Sequence, residues 1–333
     1  MSIMHIKPGF ALLSLLFLLL GCNGTKEHAV NFYYWKSQVD IGATEKKYFD
    51  ALQAKTLYLR VFDVDDEGNG AIAKGKIDAF HPATLNATYV PVVFITNRTF
   101  VNKSEKDAEL LSTKVFKLIE EICSANGIKS YSEIQIDCDW TGSTRAGYFS
   151  FLKSLKQLSH KQLSSTIRLH QIKFRKTTGI PPVDKGYAMC YATTSPKDTM
   201  VANSILDIKV LKDYLKNVND YPIQLDMALP LYSWAVVTNH LGKIKLLNGV
   251  TRNELDSTDF EQTAPNRYRV RNDVSLHGMY LNKDFTIRIE EITPQLLKQT
   301  KEFLNKHIHN EFSIVYYHLD RQFLEKYTIQ DLK

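Results

Sequence analysis

The chain has 333 residues, of which 44% are hydrophobic and 23% are charged, as in ordinary soluble globular proteins. This composition excludes a disordered, collagen-like or coiled-coil chain, and the length allows one large core. The 42 basic and 36 acidic residues give a net charge of +6. Because the chain contains no run of five or more basic residues, this charge does not indicate binding of nucleic acid.

The first 22 residues differ from the rest of the chain. A start that contains His5 and Lys7 leads into an apolar run at residues 10–20, which is followed by Gly21 and Cys22. The run is too short to cross a bilayer comfortably, but it has the length of a signal-peptide core. Residues 19–22, Leu-Leu-Gly-Cys, resemble the bacterial lipobox, in which the cysteine is acylated. We therefore predict a lipoprotein signal peptide at 1–21, lipidation of Cys22 and a tether at 22–28.

This prediction implies export to the bacterial cell envelope and a lipid anchor in a membrane, because several acyl chains together give stable anchoring. An ordinary signal peptide with an incidental cysteine is the alternative.

The three remaining cysteines, Cys123, Cys138 and Cys190, are odd in number and lack the spacing of metal ligands, so we expect buried thiols. No motif indicates a metal or a cofactor, and we predict neither.

Short runs rich in Val, Ile, Tyr and Phe predict eight strands, at 29–36, 56–64, 90–97, 133–140, 165–171, 186–191, 223–229 and 313–319. Apolar residues that return every three or four positions predict helices at 106–125, 146–158, 205–218 and 293–308. Strands that alternate with helices pair in parallel. Eight of them favour one (β/α)8 TIM-like barrel over residues 29–333. An open doubly wound sheet is the alternative, disfavoured because no Gly-rich turn follows the first strand.

Two intervals interrupt this alternation. Residues 66–89 carry a weak apolar pattern and predict a long loop or hairpin after the second strand. Residues 231–294 are longer and contain two alternating runs, 267–276 and 285–292, on either side of His277 and Gly278. We therefore predict a small antiparallel β insert at about 231–294, between strands seven and eight.

The fourth strand carries the most informative residues. Alternation along a strand places Asp137 and Asp139 on one face, about 6 to 7 Å apart, while Ile136 and Cys138 lie on the other. The apolar face should meet the helices, so both carboxyl groups should point into the barrel near its C-terminal end. Their repulsion and burial should raise at least one pKa, as a general acid requires. The alternative is a polar layer that fills the barrel without chemical function.

Within this pair, Asp139 is nearer the tip of the strand and is expected to be the more exposed acid and the proton donor. Asp137 would orient it or hold the charge that raises its pKa. Active sites of barrel enzymes lie at the C-terminal strand ends. We therefore expect substrate-binding residues among other polar and aromatic side chains near predicted strand ends, namely Asp63, Asp65, Arg168, His170, Tyr191, Asp226, Trp35, Trp140 and Trp234. The alternative for the three tryptophans is that they simply close the top of the core and bind no ligand.

Two motifs resemble the family eighteen glycoside hydrolases, which include chitinases. Residues 137–140, Asp-Cys-Asp-Trp, resemble the D-x-x-D-x-D-x-E signature of that family, and residues 189–191, Met-Cys-Tyr, resemble its M-x-Y strand. The catalytic glutamate of the family falls at Thr141, its first aspartate at Ile134, and the aspartate after the tyrosine at Ala192. The resemblance thus implies the barrel and a carbohydrate ligand, but the proton donor of the family is not retained.

A second resemblance is to a group of uncharacterised bacterial TIM-barrel lipoproteins distantly similar to those hydrolases. It extends over most of residues 29–234 and is carried by the segments 59–65, 91–97, 135–140, 166–171, 179–182 and 225–230. We therefore predict a glycoside hydrolase-like lipoprotein that acts on or binds a carbohydrate at the C-terminal face of the barrel. The alternative is a non-catalytic envelope protein, with a binding or structural role, that kept the barrel and lost the acid.

Overall fold

The computed structural model describes residues 27–78 and 84–333. The predicted signal peptide, Cys22 and most of the predicted tether lie outside these residues. Within the described part, no helix combines the length and the apolar character needed to cross a bilayer.

The described part of the chain contains sixteen strands. In chain order they are β1 (Val30–Tyr34), β2 (Thr56–Asp66), β3 (Ala71–Lys74), β4 (Thr88–Ile95), β5 (Glu133–Asp137), β6 (Gln162–Arg168), β7 (Lys185–Met189), β8 (Leu225–Pro230), β9 (Trp234–Thr238), β10 (Ile244–Asn248), β11 (Phe260–Ala264), β12 (Arg267–Val270), β13 (Val274–Leu276), β14 (Met279–Leu281), β15 (Thr286–Glu290) and β16 (Ile314–Tyr317).

Eight of these strands close into a parallel barrel. Their order around the barrel is β1, β2, β4, β5, β6, β7, β8 and β16, and β16 pairs with β1 to complete the circle. The prediction of a (β/α)8 TIM-like barrel is therefore confirmed. In such a barrel the C-terminal strand ends all meet at one face, which is where side chains from different strands can converge.

Helices cover the outside of the barrel. They are α1 (Ala43–Ala51), α2 (Glu105–Ala125), α3 (Arg145–Ser159), α4 (Leu169–Lys173), α5 (Arg175–Thr178), α6 (Ile208–Tyr214), α7 (Pro294–His307), α8 (Arg321–Leu324) and α9 (Ile329–Leu332). The longest, α2, begins at a capping box in which Ser104 and Asp107 each accept a hydrogen bond from the other's backbone N–H. Its buried residues, including Leu111, Val115 and Ile119, recur every three or four positions and face the core.

The insert between β8 and β16 is antiparallel, as predicted, but larger than expected. Five strands form one sheet in the order β10, β9, β15, β12, β11, and β13 pairs with β14 in a separate hairpin. One face of the sheet packs on its own apolar core, which includes Val237, Val270 and Ile287. The segment after β2 also forms a hairpin, because β3 returns antiparallel to β2.

The interior of the barrel is polar and aromatic toward the N-terminal strand ends. Tyr58 of β2 and Tyr187 of β7 lie on strands that are not neighbours, yet their hydroxyl groups are 2.6 Å apart across the interior. Glu133 accepts hydrogen bonds from Ser164 at 2.5 Å and from Tyr187 at 3.2 Å. These buried contacts fill the lower part of the barrel with side chains, as in other TIM-like barrels.

Candidate functional site

A cavity of about 560 Å³ opens at the C-terminal ends of the barrel strands. Its walls come from residues at or just beyond the ends of β1, β4, β5, β6, β7, β8 and β16, from β9 and β10 of the insert, and from α8. The lining side chains include Trp35, Asp137, Arg168, Tyr191, Tyr232, Trp234, Asn248, Tyr317, His318 and Asp320. This is the position at which a barrel enzyme or a barrel binding protein holds its ligand.

Five aromatic rings form a continuous lining of this cavity. Tyr317 is central, because its ring centroid lies 5.5 Å from Trp35, 5.6 Å from Tyr191 and 5.7 Å from Tyr232. Trp234 extends the series, at 5.3 Å from Tyr232. Pairs of rings at such distances stabilise each other. The lining is therefore a preformed aromatic wall.

Asp137 is the acidic side chain at the floor of the cavity. It is the last residue of β5, it is only 6% exposed, and it accepts a hydrogen bond of 2.5 Å from the Thr166 hydroxyl. Burial, and after it the nearby charge of Asp139, raises the pKa of Asp137 to about 7, whereas Arg168 acts in the opposite direction. At neutral pH a substantial fraction of Asp137 is thus protonated and able to donate a hydrogen bond.

Asp139 lies beyond the end of β5, and its side chain is 47% exposed. One guanidinium nitrogen of Arg168 lies 3.3 Å from its carboxylate. Asp139 is thus the more exposed acid of the pair, but it lies beside the cavity, whereas Asp137 lies within it.

His318 and Asp320 form a second polar group at the opposite wall. The His318 Nε2 lies 3.8 Å from the carboxylate of Asp320, and Lys36 contacts the same carboxylate at 2.7 Å. Burial lowers the pKa of His318 to about 4, so the imidazole is neutral at physiological pH. Its Nδ1 is buried and has no hydrogen-bond partner among the described residues.

Trp140, predicted to bind the ligand, does not line the cavity. The side chain is fully buried, its indole N–H donates to the Thr178 carbonyl at 2.9 Å, and its ring stacks on Tyr148. The physical reason is that β5 ends at Asp137, so the alternation of a strand no longer fixes where residues 138–140 point. Trp35, Tyr191 and Trp234, by contrast, do line the cavity.

Three of the polar candidates, Asp63, Asp65 and Asp226, do not line the cavity. Asp226 is near the start of β8, at the N-terminal end of the barrel, where Lys185 contacts its carboxylate at 2.5 Å. It therefore cannot face Asp137 across the cavity. Asp63 is paired with Arg60, and Asp65 accepts hydrogen bonds from Arg98 and Lys74, so both are held in ion pairs near the β2–β3 hairpin.

His170 was expected on strand five beside Arg168, but it lies in α4, which begins directly after β6. The chain turns there because the backbone N–H of Arg168 donates to the Gln171 side chain at 2.8 Å, which fixes the start of the helix. His170 therefore does not line the cavity, whereas Arg168, at the strand end, does.

Tyr317 was not among the predicted site residues. Its neighbour Tyr316 points away from the cavity, and the Tyr316 hydroxyl donates to the Leu332 carbonyl. Aromatic residues at successive positions of this strand leave the inward face undefined. Asn248, contributed by the insert, was also missed, because a residue so distant in sequence gives no local indication of its place. In residues 27–78 and 84–333, no group of His, Cys, Asp and Glu side chains is arranged to hold a metal ion.

No known sequence family and no curated protein matches the chain, but solved structures do. The match with the spore cortex-lytic enzyme SleL of Bacillus megaterium covers 91% of this chain and 73% of SleL, with 14% identity and a TM-score of 0.59. A chitinase from Chromobacterium violaceum matches 92% of this chain over 99% of its own, with 12% identity and a TM-score of 0.56. The chain shares the fold of these enzymes.

The GH18 chitinase ChiB of Flavobacterium johnsoniae is a further structural neighbour, at 11% identity and a TM-score of 0.50, over 92% of this chain and 93% of its own. The distant resemblance to family eighteen barrels is confirmed as a likeness of fold. At the position of the family's catalytic glutamate, Thr141 is exposed, and its hydroxyl lies 2.9 Å from that of Ser143. This position therefore offers no carboxyl group.

Proposed function

We propose that this protein binds a carbohydrate in the cavity at the C-terminal face of its barrel. The observation that carries the proposal is the continuous wall of five aromatic rings beside a buried, partly protonated acid. Aromatic faces pack against the C–H faces of sugar rings, and a few convergent polar groups fix the orientation of a ligand in an otherwise apolar pocket.

The polar groups of the cavity suit sugar hydroxyls. Protonated Asp137 can donate one hydrogen bond and accept others. Arg168 adds a permanent donor. A hydroxyl group is both donor and acceptor, so it can satisfy both kinds of partner, which an apolar ligand cannot do.

Binding without cleavage is the primary form of the proposal. Glycosidases of the common type need two carboxyl groups that flank the scissile bond. Of the two acids in the cavity wall, Asp320 is already committed to Lys36, and its carboxylate accepts a hydrogen bond from the Gln322 backbone. Thr141 adds no third acid. Asp137 therefore stands without a second available carboxyl group inside the cavity.

Binding can be tested by titrating the full chain with a panel of oligosaccharides in a calorimeter. Trp35→Ala should weaken binding of any glycan that the parent binds by about fivefold or more, because an aromatic anchor contributes more than about 1 kcal/mol. Trp140→Phe is the matched control, since this residue is buried outside the cavity. If no glycan binds, or if both variants bind as the parent does, the proposal is wrong.

Hydrolysis is a second candidate, which the pKa of Asp137 specifically favours, because a general acid functions best when its pKa lies near the working pH. Release of reducing ends from the same panel is the appropriate assay. Asp137→Asn should lower such activity by about a hundredfold or more. A similar loss in Asp139→Asn alone, with Asp137→Asn fully active, would return the donor role to Asp139.

We also propose that the protein is a lipoprotein of the bacterial cell envelope, anchored through Cys22. Only the sequence supports this proposal. Cys22→Ser should abolish incorporation of labelled palmitate and release the protein from the membrane fraction. Unchanged labelling of that variant would contradict the proposed anchor.

A further inference from the structure

A second cavity, of about 770 Å³, lies on the insert and is larger than the cavity of the barrel. Its floor is formed by one face of the five-stranded sheet, and the segment 196–199 forms a wall. Among the described residues, five basic side chains and no acidic side chain line this second cavity, here named the basic groove; the five are Lys197, Lys243, Arg267, Arg269 and Arg288.

Two of these five side chains already form hydrogen bonds within the protein and are not available to a ligand. Arg288 is buried and donates to the Glu290 carboxylate at 2.6 Å and to the backbone carbonyls of Pro196 and Asp198 at 2.9 Å. Arg267 similarly donates to the carbonyl of Thr199 at 2.6 Å. Both arginines therefore hold the wall of the groove in place on the sheet.

The other three cations have no such partners. The side chains of Lys197, Lys243 and Arg269 are exposed and form no hydrogen bond or ion pair with any described residue. Glu261 stands opposite Arg269 in the strand register, yet no ion pair joins the two. Several cations that share a concave surface without counter-ions create a positive potential that attracts an anionic ligand.

The register of the sheet connects this groove with the cavity of the barrel. Trp234 and Asn248, which line the barrel cavity, are paired at the end of β9 and β10 nearest the barrel. The next position on the same face is Val236, which lines the basic groove and is paired with Arg288. Two residues along a strand span about 7 Å. Val236 and Arg288 are buried there, so the open part of this face between the aromatic wall and the cations is formed by Leu246, which pairs with Val236 and is partly exposed on β10.

From this continuity we infer that the ligand is an acidic glycan. Its sugar rings would pack in the aromatic cavity, and its carboxylate or sulfate groups, farther along the chain, would lie in the basic groove. The inference rests on the proposed carbohydrate binding and specifies the class of ligand. The shared sheet face favours one extended polysaccharide over nucleic acid or an anionic lipid surface, because neither needs the aromatic cavity beside the groove.

The experiment measures binding of the full chain by affinity electrophoresis in three classes of polysaccharide. Polygalacturonate and alginate carry carboxylates, chondroitin sulfate carries sulfates as well, and mannan and xylan are neutral. We expect at least one acidic polysaccharide to bind more tightly than the neutral ones, and its binding to weaken as salt rises, because salt screens exposed charges. The comparison among the acidic polysaccharides distinguishes carboxylate from sulfate recognition.

Two double variants test the groove. Lys243→Gln with Arg269→Gln removes two unpartnered cations and should weaken binding of the acidic polysaccharide by about tenfold, the order expected for two exposed ion pairs. Lys245→Gln with Lys283→Gln is the matched control, because both lysines are exposed on the insert, neither lines the groove, and the change in net charge is the same. The control should bind as the parent does.

The outcomes separate this inference from the proposed function. Binding of neutral glycans alone, lost in Trp35→Ala and unchanged in the groove variant, would overturn the inference and leave the proposed function standing. Binding of an acidic polysaccharide that depends on the groove but survives Trp35→Ala would overturn the continuous path and count against the proposed site. Tighter binding of duplex DNA or of anionic lipid vesicles than of any glycan, through the same two cations, would overturn the assignment to a glycan.

Discussion

Asp137→Asn should change the stability of the protein in a manner that depends on pH. Asp137 has a pKa of about 7 in the folded chain and one near the ordinary value of 3.8 when unfolded. Between about pH 4 and 7 the folded chain keeps a proton that the unfolded chain has lost, so the free energy of unfolding falls as pH rises. At 1.36 kcal/mol per pH unit, ionisation of Asp137 lowers the free energy of unfolding by about 4 kcal/mol at pH 8.

Asparagine removes the ionisable group and retains an oxygen that can accept the hydrogen bond from Thr166. The variant should therefore gain stability over the parent as pH rises from 4 to 7, up to about 4 kcal/mol, and the gain should stay constant at higher pH. Urea unfolding followed by tryptophan fluorescence at pH 4.5, 5.5, 6.5 and 7.5 measures the difference. Other titrating groups are common to both proteins and largely cancel.

Asp65→Asn provides a control of opposite sign. Hydrogen bonds from Arg98 and Thr96 hold the pKa of Asp65 well below its usual range, so its charge stabilises the folded chain above about pH 4, and this stabilisation is lost as pH falls further. The variant should thus be less stable than the parent at neutral pH and approach it in acid. A stability difference for Asp137→Asn that stays flat from pH 4.5 to 7.5 would refute the reasoning.

Three further predictions concern the framework of the site. Trp140→Phe should lower the free energy of unfolding by about 1 to 3 kcal/mol, because the buried Thr178 carbonyl loses its donor; an unchanged urea midpoint would contradict this. Ile136→Asp places an unpaired charge in the core and should leave little folded protein, as measured by circular dichroism. Arg288→Gln leaves Glu290 buried without its cation and should cost about 3 to 5 kcal/mol in the same urea assay, with faster proteolysis of segment 196–199 as a second measure.

The sequence was sufficient for the barrel because each strand is apolar on the face that meets the helices, a pattern that local residues alone determine. Ile134 and Ile136 of β5 illustrate this, since both are fully buried while Asp137 ends the strand at the cavity floor. The position of Asp137 followed from the same alternation. The antiparallel insert was predictable for a similar reason, although only some of its strands carry a clear alternating pattern.

The misplaced residues lie where a strand starts or ends. Asp226 was placed in the middle of a strand that begins two residues later than expected, so it lies at the opposite end of the barrel. Trp140 and His170 follow strands that end earlier than the apolar runs suggested. The direction of a side chain beyond a strand end depends on contacts with distant residues, such as the Thr178 carbonyl for Trp140. These contacts are invisible in a local pattern.

The parallel direction of the barrel strands has a consequence for how the protein would sit at a membrane. Strand β1 begins at Val30, at the end of the barrel opposite the cavity, and only seven residues separate it from Cys22. Fully extended, the eight residue steps from Cys22 to Val30 span at most about 28 Å. With an acylated Cys22, the N-terminal end of the barrel would be held close to the bilayer and the cavity would open away from it. The protein would then reach polymers of the surrounding envelope space rather than the headgroups of its own membrane.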